Sequence, residues 1–275
     1  MLKLKKINDE VVKPIPIKKV KKRDVIGYKL FCEPYCNIFL CAKKKSGKTC
    51  VINKILKSCT GKETKIFIFS STALKDPNMR RIIKDLNKKG IDNEVYTEIG
   101  QNLALILQEL QFEENYDGNS DSESESEEAL VKHNLIEFND TDDIIRIKIK
   151  KKPKAQRLIA PRYIFIFDDI SSDLKSPDIS KLTKQNRHYL CKVIISSQYP
   201  FDLKPESRKQ QDYFLLFGGQ PEDKLVKLYE NFDLNIPFEI FLDMYHQATS
   251  QKYNFLYIDT NEPAYRINFD QKFLI

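Results

Sequence analysis

Residues 37–59, NIFLCAKKKSGKTCVINKILKSC, constrain this chain more than any other stretch. An apolar run, NIFLCA, meets a lysine-rich turn, and TCVINKILKSC then carries apolar residues at helical spacing, so the order is strand, loop, helix. Within it, CAKKKSGKTC nearly spells G-x-x-x-x-G-K-[ST]. In that loop backbone N–H groups wrap phosphates at a helix N-terminus, the lysine neutralises them and the hydroxyl holds magnesium. Gly47, Lys48 and Thr49 stand in their places, preceded by Lys43, Lys44, Lys45 and Ser46 and followed by Cys50, but Ala42 replaces the first glycine. If position 42 needs a positive φ, alanine costs roughly 1 kcal/mol there. The three lysines are read mainly as solvated.

The remaining ordered sequence alternates in the same way. KIFIFSS, RYIFIFDDI, CKVIISSQ and DYFLLFGG are buried-strand candidates, and NMRRIIKDLNKKG, NLALILQELQFEE, KSPDISKLTKQNRHYL, PEDKLVKLYENF and PFEIFLDMYHQATS read as helices. EVYTEI suits a short edge strand. YNFLYIDTN and PAYRINFD read as a terminal hairpin joined at Asn261, Glu262 and Pro263. Buried strands alternating with helices predict an α/β fold, a mostly parallel central sheet with helices on both faces.

Charge is distributed in blocks. Residues 1–24 hold nine Lys or Arg against three acids, residues 113–128 eight acids and no base, and residues 146–157 seven bases and no acid. We therefore read 1–30 as a basic arm and 31–275 as one domain. That domain is interrupted at 113–157 by an insertion too polar to offset the entropy of ordering it. The net charge of +7 permits a polyanionic partner. No apolar run approaches the roughly 20 residues of a membrane span, and MLKLKKINDE lacks the apolar segment of a signal peptide, so an intracellular protein is expected. The six cysteines form no C-x-x-C pair and are read as reduced thiols.

Asp168 and Asp169 end the strand RYIFIFDDI, where an acid pair would face the lysine across the sheet. Asp168 would hold magnesium, and Asp169 would orient or deprotonate an attacking water. The competing reading, a strand end or a cap shared with Ser171 and Ser172, weakens beside Gly47, Lys48 and Thr49. Gln198 ends CKVIISSQ and could contact that water or sense hydrolysis. Loop, acid pair and strand-ending glutamine together indicate the additional-strand type of P-loop NTPase.

At AKKKSGKT, IFIFDDI, the NRH before CKVIISSQ, and LKPESRKQQDYFLLF after it, the chain resembles the genome-packaging ATPases of large DNA viruses and virophages. These form the poxvirus-like branch of the FtsK–HerA superfamily, and the resemblance covers roughly 36–72 and 160–220. It implies a homo-oligomeric ring that hydrolyses ATP with Mg2+ and drives double-stranded DNA into a preformed capsid. It further implies capsid or portal-region partners and a place in the viral factory of the host cytoplasm, with virion association. Arg187 and Arg208 match the family's arginine positions and are candidates for a finger reaching a neighbouring subunit's γ-phosphate. Two other functions stay open on the residues alone: a helicase-like or conjugation-type DNA motor, and a non-hydrolysing nucleotide-binding protein that tethers capsid and nucleic acid.

Overall fold

The computed structural model describes residues 21–117, 158–232 and 234–274. The insertion's residues 118–157 and the arm's residues 1–20 lie outside them. The first six strands are β1 (Asn37–Cys41), β2 (Lys65–Ser70), β3 (Asn93–Tyr96), β4 (Tyr163–Asp168), β5 (Cys191–Ser197) and β6 (Tyr213–Phe217). They run parallel, and β7 (Phe255–Asp259), β8 (Ala264–Ile267) and β9 (Gln271–Lys272) extend the sheet antiparallel. The order across the nine strands is β3-β2-β4-β5-β1-β6-β7-β8-β9.

This is the expected α/β architecture, and the reason is visible in side-chain alternation. Phe39, Phe165, Phe167 and Ile195 point to one face. Ile38, Leu40, Ile164, Ile166 and Ile194 point to the other. Both faces are covered, so the central strands read as continuous apolar runs rather than as alternating ones. Helices α1 (Lys48–Cys59) and α2 (Pro77–Lys88) cover the isoleucine face, using Ile52, Ile55, Met79 and Ile82. Helices α3 (Asn102–Asp117), α4 (Pro177–Gln185), α6 (Glu222–Phe232) and α7 (Phe238–Ala248) cover the aromatic face, through residues such as Leu103, Leu182, Leu228 and Phe241.

Local signals set the helix starts. Asp76 and Ser176 each accept a hydrogen bond from the backbone N–H two residues on, and each precedes a proline at the first helical position. The short helix α5 (Pro205–Arg208) also opens on a proline, but without a side-chain cap. Part of the expected arm is packed: Val25 forms a parallel bridge with Ile159, and Leu30 is buried, beside the domain's first residue Phe31, against the α1 face. The terminal hairpin forms across Asn261, Glu262 and Pro263, where Asp259 accepts hydrogen bonds from the N–H groups of Asn261 and Glu262 at 3.1 Å each.

Candidate functional site: a phosphate loop facing an acid pair across β5

In a parallel sheet the carboxyl ends of the strands open into a crevice at one edge. Three adjacent strands meet there. Register pairs Asp168 of β4 with Ser196 of β5, and Ser197 of β5 with Cys41 of β1. The loop after β1 then leads into α1, whose N-cap is Gly47 in the left-handed region at φ 94°. No side chain caps that helix, so its first-turn N–H groups are directed out of the helix end, where the peptide dipoles favour an anion.

Ala42 corrects the expectation of strain. It is not among the residues with positive φ. Instead it prolongs β1, its N–H donating to the Ser197 carbonyl at 2.9 Å, and the left-handed turns fall at Lys45 (φ 63°) and Gly47. Extended backbone accepts alanine without penalty, so the missing glycine removes nothing the loop uses.

Lys48 reaches from the start of α1 past the end of β5. Its Nζ stands 3.7 Å from Asp168 Oδ1 and 3.7 Å from Asp169 Oδ1. The two acids differ in setting. Asp168 is 5% exposed, and burial pushes its carboxyl above the usual range, opposed by the Lys48 ammonium and less by the Ser196 hydroxyl. Its Oδ1 has no hydrogen-bond donor. Asp169 is more open and sits in the left-handed region at φ 57°, a strained conformation that turns its carboxylate toward the lysine. The Ser71 hydroxyl donates to its carbonyl at 2.7 Å.

Gln198 lies half-buried one residue past the β5–β1 ladder, opposite the loop's first residues, and its carbonyl accepts the Cys41 thiol at 3.9 Å. Lys43, Lys44 and Lys45 are exposed, and Thr49 is half-buried in the first turn of α1 behind Lys48. Two further loops flank the loop after β1. The β6–α6 turn brings Gly219 against the Lys43 side chain, and the α7–β7 turn brings the Tyr253 ring over Gly47.

The two arginines are placed elsewhere. Arg187 lies at the amino-terminal edge of the sheet, its guanidinium 3.2 Å from Glu33 and 3.4 Å from Asp212. Asp212 in turn accepts from the Asn37 N–H at the start of β1. Arg208 ends α5 and is only 7% exposed, stacked 4.7 Å from the Phe201 ring with its Nε unpartnered; burial lowers its pKa.

A cation fits the acid side of the crevice on one observation: a buried carboxylate oxygen of Asp168 lacks a donor, and a threonine hydroxyl follows the lysine. Oxygen donors of this kind suit a hard divalent ion.

Solved structures with the same arrangement of elements come from two archaeal viruses. The genome-packaging NTPase B204 of Sulfolobus turreted icosahedral virus 2, in complex with AMP, superposes with a TM-score of 0.52 at 17% identity, over 86% of this chain and 98% of that one. The chain has the B204 fold. The DNA-packaging ATPase B204 of Sulfolobus turreted icosahedral virus matches with a TM-score of 0.51 at 16% identity, over 86% and 97%. The AMPPCP complex of the first protein gives 0.51 at 16% identity, over 86% and 98%. No family model matches the chain.

Two curated relatives belong to large DNA viruses. An uncharacterised protein of Acanthamoeba polyphaga mimivirus is 27% identical over 144 residues, 51% of this chain and 49% of that protein. One of Invertebrate iridescent virus 6 is 32% identical over 126 residues, 44% and 48%. The chain thus spans about half the length of the curated relatives it matches.

In this chain β5 lies between the loop strand β1 and the acid strand β4, the arrangement expected of the additional-strand type. One participant in the crevice was not singled out from sequence. Tyr253 lies in YNFLYID, which alternation assigns to a strand, whereas β7 begins at Phe255 and Tyr253 occupies a left-handed turn at φ 74°.

Proposed function

We propose that this chain is an ATP-driven motor that packages a viral double-stranded DNA genome into a preformed capsid, working as a ring of identical subunits. The observation that carries the reading is the Lys48 amine held 3.7 Å from both Asp168 and Asp169 at the mouth of a B204-like sheet. Adding a triphosphate would exchange the lysine's carboxylate partners for phosphate oxygens, with the N–H groups after Gly47 binding beside it. Thr49 and Asp168 would hold Mg2+, which supplies charge neutralisation at the phosphates. Asp169 Oδ1, exposed and next to the lysine, accepts a proton from the attacking water, and the Gln198 amide orients that water from the end of β5. Of the two arginines, Arg187 is the more exposed, and to reach a neighbouring copy it would have to leave Glu33 and Asp212; the buried Arg208 would have to leave the Phe201 ring.

A DNA partner is supported by the outer side of α2 and its flanks. Lys75, Arg80, Arg81, Lys84, Lys88 and Lys89 are exposed, and none pairs with an acid among the described residues. Arg80, Lys84 and Lys88 recur every fourth residue along one helical ridge, so three positive charges line about 12 Å of surface. Contacts of that kind read backbone charge rather than sequence and weaken steeply with salt. Among the described residues no helix is long and apolar enough to cross a membrane. Capsid or portal-region proteins would be the other partners, and the host cytoplasm the place of action.

The test is ATP hydrolysis with and without blunt duplex DNA. Wild type should be stimulated by duplex in a salt-sensitive way, and Lys48→Ala and Asp169→Asn should each fall at least 100-fold, as removal of a group acting on transition-state charge does. Full turnover by Lys48→Ala refutes the reading. Unwinding of forked DNA without translocation on blunt duplex reassigns the motor's task.

A further inference from the structure

We propose that Tyr253 is the platform on which the base of the nucleoside triphosphate stacks while its phosphates occupy the loop ending at Gly47. The inference rests on the nucleotide-binding reading above and adds a subsite to it.

Tyr253 is 56% exposed, yet it is held in place. Its turn is closed by the Asn254 N–H donating to the Gln251 carbonyl at 3.2 Å, and Asn268 fastens it from the end of β8, its Nδ2 donating to Asn254 Oδ1 at 2.9 Å. On the other flank Thr249 packs against Gly218, where an added methyl group would lie 3.2 Å from the threonine Cβ. The backbone at Tyr253 adopts φ 74°, a region that bulky side chains rarely occupy and that proteins retain where the surroundings impose it. The outcome is an aromatic ring beside the phosphate loop: a methyl group at Gly47 would sit 3.3 Å from Tyr253 Cδ1. Lys252 places its ammonium 4.9 Å from the same ring.

A solvent-facing ring pinned against a phosphate cradle has a specific use. Its apolar face offers a stacking surface to any nucleobase, and stacking is tolerant of base identity because every base has a π face. The adjacent Lys252 adds positive potential on the approach of a polyanionic ligand. Gly47 explains the other half of the fit, since any side chain there would displace the ring as well as straining the turn.

The test compares two ligands on the full chain by isothermal titration: ATP, which has a base, and inorganic tripolyphosphate, which has none. Tyr253→Ala should bind ATP about tenfold or more weakly, the loss expected for one base–aromatic stack, while tripolyphosphate binding stays unchanged. Tyr253→Phe should bind both as wild type does. Equal weakening of both ligands by Tyr253→Ala overturns the proposal, because the ring would then only shape the loop. Unchanged ATP affinity overturns it too. Failure of wild type to bind either ligand removes the phosphate-loop reading itself, a different result from failure of the platform.

Discussion

Replacing Lys48 by methionine keeps the alkyl stem and deletes the charge, and the structure sets what that should cost in the nucleotide-free protein. The amine stands 3.7 Å from two carboxylate oxygens, and it and Asp168 are both largely shielded from water. At an effective dielectric of about 20, a pair at that distance attracts by about 4 kcal/mol. Removing one partner of a buried pair strands the other without compensation, which costs about 3 kcal/mol or more. The two single substitutions should be unequal. Lys48→Met leaves both acids unpartnered, whereas Asp168→Asn leaves the lysine beside Asp169, so a loss of about 1 kcal/mol is expected for the second. The double variant should recover most of the Lys48→Met loss, giving a coupling of about 2–3 kcal/mol between the positions. Urea unfolding in buffer containing a chelator and no nucleotide measures each midpoint, with an unchanged slope confirming that the native state alone is altered. A coupling below about 0.5 kcal/mol, the level of independent sites, would refute the electrostatic account of the crevice.

Two further outcomes follow from the backbone and from burial. Ala42→Gly, which restores the motif's missing glycine, should leave ATP turnover unchanged and lower stability by about 0.5–1 kcal/mol. The position is extended, and glycine there only adds freedom to the unfolded chain; faster turnover would contradict it. Asp259→Asn should flatten the pH dependence of stability. Burial raises the Asp259 carboxyl against the opposing pull of the Glu262 and Asn261 N–H groups, so in this region the native state holds a proton more tightly than the unfolded chain. The wild type's contribution from this group therefore declines as pH climbs from the ordinary carboxylate value, near 4, through the raised one. The asparagine variant's urea midpoint should gain on wild type as pH rises above about 4 and through the raised value; parallel curves would disprove the assignment.

Much of this molecule is legible in its sequence because its central strands are buried on both faces. Past one lysine or arginine at the amino end of each, KIFIFSS, RYIFIFDDI and CKVIISSQ stay apolar or aromatic until their carboxyl ends, so the next polar side chains mark the crevice itself: Ser70, Asp168 and Ser196. Other features depend on geometry that letters do not encode. A motif records which residue follows which, not which φ each adopts, and so Ala42 raised an expectation of strain that belongs to Lys45. The aromatic and apolar alternation of YNFLYID is the same whether or not its first residue pairs, and Tyr253 therefore reads as strand although it turns away before β7 begins. KSPDISKLTKQNRHYL carries a helical pattern past its true end; α4 stops at Gln185, and a left-handed Leu190 redirects the chain into β5. Burial of Arg208 beneath Phe201, and attachment of Arg187 to Glu33, are contacts between distant or differently folded segments and leave no local trace.

The position of β5 has a mechanical consequence. It is hydrogen-bonded on one side to the acids' strand and on the other to the lysine's strand, and all seven of its residues are buried. Pulling the two halves of the crevice apart would mean unzipping a ladder whose β5 residues are all buried, so their spacing is as fixed as the pitch of the sheet itself. On the proposed motor reading, a stroke released at the phosphates would leave through the turns above the strand ends, where Asp169, Gln198 and Tyr253 sit, while the sheet serves as the anvil.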